Sequence, residues 1–232
     1  MRVATQEKTI PSCRVDKSLL QEIERYMMAF FEAGGHFRVA VKYARGAETY
    51  HSASELKERF ADAVQSVELQ RCRFADKADK TDGGGFNLNV SFDRSGYSSR
   101  VVAEAEGEHA KERIEWFMNG ILEIIEPYRA YGGLYHFHPA VDGALSALTL
   151  CLAVVALVCL PVAPPLFTKV VGCAAVLAAL HRIGAVMIPY SAFSSRRVEI
   201  RAKVWRWVLT GTAGAVLFGI VLTTLLRRMF GF

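Results

Sequence analysis

Residues 86–92 read FNLNVSF, and their alternation decides the fold class of the first half of the chain. Phe86, Leu88, Val90 and Phe92 share one face, and the residues between them are polar. A period of two is the mark of a strand with one buried face. Working outward, DRSG at 93–96 is a turn, and YSSRVVAEA at 97–105 reads as the next strand. On the other side DKADKTDGGG, 76–85, is a polar hairpin connection. Before it, VELQRCRF at 67–74 is irregular, with its apolar parity shifting between Leu69 and Phe74, which predicts a bulge. FRVAVKY at 37–43 alternates cleanly again.

Helices bracket these strands. Asp16 is placed to cap a helix through SLLQEIERYMMAFFEA, whose Leu19, Leu20, Ile23, Met27, Phe30 and Phe31 form one apolar stripe, and Gly34 and Gly35 end it. Ser52 and Glu55 have capping-box spacing and open a predicted helix ELKERFADAV, 55–64. A last helix spans HAKERIEWFMNGILEIIEPYRA, 109–130. Its stripe is Ile114, Phe117, Met118, Ile121, Leu122 and Ile125, and Pro127 ends or kinks it. The expected order is α-β-α-β-β-β-α: an α+β domain with about four strands and helices on one face.

The second half is built differently. The chain has 232 residues with a formal net charge of +5. Residues 1–140 hold 19 Lys+Arg and 21 Asp+Glu, whereas 141–232 hold 9 Lys+Arg against Asp142 and Glu199. The excess positive charge therefore belongs to the apolar end, and no basic soluble domain exists to contact nucleic acid. Gly143 to Leu160 carries no charge, and the apolar run reaches about Ala163, long enough for a bilayer. Pro161, Pro164 and Pro165 follow. A second apolar run, from Leu166 to Tyr190, is interrupted by His181 and Arg182, and a third extends from Trp207 to Leu226.

These patterns divide the chain into an N-terminal tail (1–15), a cytosolic α+β domain (16–138), a transmembrane hairpin (139–190), a basic juxtamembrane segment (191–206) and a third transmembrane helix with its tail (207–232). The α+β domain is thus followed by an all-α transmembrane bundle of about three helices. Arg196, Arg197, Arg201, Lys203 and Arg206 against Glu199 place the basic segment in the cytoplasm by the positive-inside rule, and two crossings earlier the soluble domain as well. Arg227 and Arg228 oppose the rule on the far side. The N-terminus lacks the apolar core of a cleaved signal peptide, so the first span is the expected targeting signal.

Gly211, Ala215 and Gly219 repeat every four residues and form a small-residue stripe suited to close helix association, either between chains or within one. His181 and Arg182 are either intramembrane polar groups or an interfacial helix end. His136 and His138 in YHFHP stand i, i+2 without a third ligand nearby, and read as part of an interfacial aromatic belt. Gly83 to Gly85 lacks the Lys-Ser/Thr pair of a phosphate-binding loop. Glu104, Glu106, Glu108, Glu112 and Glu115 read as a solvated edge. The five cysteines show no zinc-type spacing. The sequence therefore predicts no catalytic constellation, no metal and no cofactor.

The order of elements resembles that of small bacterial membrane proteins with an N-terminal cytosolic α+β domain. FRVAVKY is followed by SASELKERF, then by a strand pair, and EGEHAKERIEWFMNGILEIIEP leads into the bilayer. Across residues 16 to 140 this order is similar to that of membrane effectors of anti-phage defence. The resemblance implies a multi-pass protein of the bacterial inner membrane. Its cytosolic domain senses a signal or protein partner, and its spans oligomerise or perturb the lipid bilayer. It assigns no functional residues. A passive anchor or scaffold for a protein partner is the alternative, and a membrane enzyme or transporter subunit using His181 and Arg182 is a third.

Overall fold

The computed structural model describes residues 3–30, 35–61, 63–73, 85–94, 99–136, 139–159, 178 and 181–211. Seven strands and two helices precede residue 126: β1 (Val3–Thr9), β2 (Cys13–Val15), α1 (Lys17–Phe30), β3 (His36–Tyr43), β4 (Gly46–Tyr50), β5 (Val64–Arg73), β6 (Phe86–Asp93), β7 (Arg100–Glu106) and α2 (Ala110–Ile125). Then come α3 (Pro139–Cys159), a helix over 181–187, β8 (Ser191–Phe193) and a helix over 196–211. The α+β class is therefore as expected, but the sheet has six strands in the order β1-β7-β6-β5-β3-β4, every neighbouring pair antiparallel.

Both helices cover one face. Val67, Leu69, Leu88, Val90, Phe92, Val101 and Ala103 meet Leu19, Leu20, Ile23 and Met27 of α1 and Ile114, Phe117, Met118 and Ile121 of α2 in one core. Asp16 Oδ1 caps α1 by accepting from the Leu19 amide at 3.0 Å. Tyr26 and Phe30 of α1 pack on Phe117 of α2, with centroids 5.8 and 5.3 Å apart. The opposite face is an open polar lattice. Glu68 accepts from Asn89 and Lys42, while Gln70 accepts from Arg38 and donates to Asn87.

Four details differ from the sequence reading. The expected tail contains β1, an edge strand of alternating polar residues that pairs with the whole of β7. β4 adds a second edge, partnered by β3. The predicted helix at 55–64 is reduced to one 3-10 turn, Ala53–Glu55. Its backbone groups are claimed from outside: Lys17 Nζ donates to the carbonyls of Ser54 and Leu56 at 2.7 and 2.6 Å, and the Phe60 amide donates to Ser194 O at 3.1 Å. Those contacts replace the i→i−4 bonds a helix needs.

The fourth is the bulge predicted in 67–74. β5 instead pairs regularly with β6 from Ser66 to Arg73; its irregularity against β3 lies earlier, where Lys42 and Tyr43 face Ser66 and Val64 and Gln65 is skipped. The broken parity is Arg71, which sits on the apolar face at 1% exposure. Its guanidinium donates to the carbonyl of Met27 in the last turn of α1 and lies 5.3 Å from the Phe86 ring centroid. The carbonyls of a final helical turn have no partner within the helix, so a buried cation is stabilising there. Burial holds its pKa below the usual arginine value.

Candidate functional site

The feature with functional potential is the junction between this domain and the apolar half. It begins with Cys13 and Val15, two buried positions of β2, flanked by the buried Ile10 and Ser12. The three-residue β8, from far along the chain, pairs in parallel with β2: Cys13 faces Ser191, Arg14 faces Ala192 and Val15 faces Phe193. A three-residue strand has little stability of its own, so side chains and flanking amides hold it. Ser12 Oγ donates to Tyr190 O at 2.7 Å, and Tyr190 Oη donates to Ile10 O at 2.8 Å. The Ser99 and Ser191 hydroxyls lie 2.9 Å apart. The Ser194 amide reaches Val15 O at 2.9 Å. Phe193 is 3% exposed and packs edge-on against Phe60, with centroids 5.7 Å apart. Beside β8, burial pushes the Cys13 thiol up to about 12, with a hydrogen bond from Ser191 acting the other way. This thiol is a packed group, not a nucleophile.

Just beyond, three helices meet. His136 Nε2 lies 2.8 Å from Ile188 O. Arg182 pairs with Asp142, in the first turn of α3, at 3.1 Å. Residue 136 thus faces 188 and 142 faces 182, so α3 and helix 181–187 run side by side in opposite directions. The pair is about 40% exposed on both sides, so the contact positions the helices and adds ~1 kcal/mol or less. Tyr135 joins the third helix: Trp205 Nε1 donates to Tyr135 Oη at 3.0 Å, and the two rings are 5.9 Å apart at 80°. Gly184 fits between them, because a Cβ there would come within 2.9 Å of Trp205 Cζ2.

Of the residues singled out from sequence, His181 and Arg182 come to this junction. His181 stacks obliquely on Tyr135 with centroids 6.1 Å apart. Arg182 is engaged by Asp142 of α3. Arg196, Arg197, Arg201, Lys203 and Arg206 are exposed on helix 196–211. Gly211 ends the described part of that helix, and among the described residues nothing lies within 4 Å of a Cβ built on it. Ala215 and Gly219 lie outside the described residues, as do His138, Gly83 and Gly84. Glu104 and Glu106 point from the polar face of β7, and no group of three metal-type side chains occurs among the described residues.

Sequence reasoning missed β8, Tyr190 and Phe193. SAF is too short for periodicity, and the available signal was a phenylalanine inside an otherwise basic, polar loop. It also missed a cleft of about 270 Å³ between the β3–β4 hairpin and residues 56–61. There Tyr43 and Tyr50 both donate to Glu48 Oε2, at 2.9 and 2.6 Å, with Lys57 and Arg59 at the rim and Phe60 in the lining. Burial and Glu48 together push Tyr43 up to about 12. Among the described residues no helix is long and apolar enough to cross a membrane; several side chains between 149 and 159 of α3 are not described. No protein-family model, no curated protein and no solved structure matches this chain.

Proposed function

We propose that this protein is a membrane-anchored sensor of the bacterial inner membrane. Its α+β domain reads a cytosolic signal and passes it through β8 to helices that associate in, or perturb, the bilayer, in the manner of a defence effector. The observation that carries the reading is where apolar side chains meet solvent. Leu148, Leu150 and Val154 of α3 are 52–68% exposed, and Ile183 and Val186 on the opposing helix are 47% and 77% exposed. An apolar surface of this kind calls for an apolar surrounding. α3 has 21 residues, ~31 Å at 1.5 Å per residue, close to the thickness of a hydrocarbon core.

Two further points support it. The pairs 136/188 and 142/182 are both centred on position 162, inside the stretch Pro161–Pro165 that suits the tip of a hairpin. The docking of β8 on β2 agrees with a membrane hairpin, because a hairpin would return residues 190–195 to the side of the domain. Helix 196–211 runs without a break into the start of the third apolar run, residues 207–211. The sequence spacing of Gly211, Ala215 and Gly219 suits close helix association, and on this reading it serves association between chains.

Signal input is assigned to the Tyr43–Glu48–Tyr50 cleft, because its lining residue Phe60 also touches Phe193 and its amide holds Ser194. The test is induced expression in bacteria, read by growth and a membrane-potential dye. Arrest with depolarisation supports the effector. Accumulation in the membrane without either effect leaves the passive anchor.

A further inference from the structure

We infer that the outward face of helix 196–211 docks on anionic phospholipid headgroups. This rests on the membrane-anchored reading above and goes further by naming the lipid class and the surface that reads it. Val198, Ala202 and Trp205 mark the inner face of the helix; Trp205 is 2% exposed and bonded to Tyr135. At 100° per residue, the diametrically opposite line holds Ile200, Val204 and Trp207, spaced i, i+4, i+7. These are 52%, 44% and 75% exposed. Arg197 and Arg201 flank that line on one side. Arg196, Lys203 and Arg206 flank it on the other. All five are exposed, and Glu199 is the one acidic residue in 196–211.

An apolar line with a large aromatic at its end and cations on both flanks matches the layered chemistry of a membrane surface. The apolar line meets the acyl boundary, and the cations meet phosphates at headgroup level. A second copy of the chain is a poorer occupant, because the same face presented twice sets cations against cations. A nucleic acid would satisfy the cations and leave Ile200 and Val204 against phosphates. Juxtamembrane cations gain attraction from anionic lipid that zwitterionic lipid does not supply.

The experiment uses the full chain in nanodiscs of phosphatidylcholine mixed with phosphatidylglycerol, with the lipids retained after mild detergent release counted by native mass spectrometry. The native chain is expected to enrich phosphatidylglycerol. The variant Arg196→Gln/Arg197→Gln/Arg201→Gln/Lys203→Gln is expected to lose that enrichment about tenfold or more, since each cation near an anionic surface contributes about fivefold. Ile200→Ser/Val204→Ser should weaken it as well. Arg38→Gln/Lys42→Gln, on the polar face of the sheet, should leave it unchanged, and protection of Cys13 from alkylation monitors folding in every variant. Undiminished enrichment in a folded quadruple variant overturns the inference. So does heparin binding that is abolished by the quadruple change while lipid selectivity persists. Alkaline carbonate fractionation separates the two layers of the argument. A chain that leaves the membrane refutes the anchored reading, and a chain that stays without lipid preference refutes this inference alone.

Discussion

Replacing Phe193 with alanine should detach β8 from the domain. The ring is 3% exposed, belongs to the same core as α1, α2 and the sheet, and meets Phe60 edge-on at 5.7 Å. Truncating a buried phenylalanine to alanine costs ~3–5 kcal/mol. β8 has three residues and ends in a loop, so local opening is the cheapest way for the molecule to respond. At ~1.36 kcal/mol per decade, the opening constant should rise by about two to four orders of magnitude. Cys13 reports it directly, since it faces Ser191 in the ladder and is fully buried. The assay is pulsed alkylation of the full chain under native conditions, with modified cysteines identified by mass. When opening is fast relative to modification, the labelling rate follows the open population. Labelling of Cys13 within about threefold of the parent rate would mean that β8 does not close over β2, and the coupling route would fall.

Three other outcomes follow from the same geometry. An unfolded thiol ionises near 9.0 and the folded Cys13 near about 12, so its stabilising contribution is complete below pH 9 and is lost as pH rises from 9 to 12. Denaturation midpoints should fall across that window, and less steeply in Cys13→Ala. Gly184→Leu should force Tyr135 and Trp205 apart at a cost of ~1–3 kcal/mol, visible as altered Trp205 fluorescence while the sheet's hydrogen-exchange protection persists. Arg71→Met should destabilise the domain by ~1–3 kcal/mol, because the Met27 carbonyl loses a buried donor, and exchange should rise first in the last turn of α1.

The parts of the fold that could be read from sequence are those with a strong period. β6 and β3 alternate cleanly, and the stripes of α1 and α2 mark their buried sides. β1 and β4 could not be read this way. They are edge strands with no fully buried residue, so although exposure alternates along β1, no apolar face marks that alternation in the sequence. Residues 55–64 have helical composition, but Lys17 and Ser194 take their backbone groups, and tertiary bonds of that kind leave no local trace. The parity shift between Leu69 and Phe74 predicts a bulge from sequence because a cation on an apolar face, here Arg71, makes sense only once the end of α1 is placed above it. The junction was half legible. His181, Arg182 and the basic residues were visible as charges in an apolar region, whereas the pairing of Cys13–Val15 with Ser191–Phe193 joins segments about 180 residues apart.

The central claim is that one chain both enters the membrane and returns β8 to complete its own soluble domain. Arg14 and Ala192 face each other across the parallel ladder on its outer side. Cysteines at these two positions should form a disulfide on mild oxidation of cells, giving a compact band that reverts on reduction. After alkaline carbonate washing, that crosslinked chain should remain in the membrane pellet. A chain that crosslinks but washes into the supernatant would contradict membrane insertion. A chain that stays in the pellet without crosslinking would contradict the docking of β8, and with it the proposed path from the cleft to the membrane.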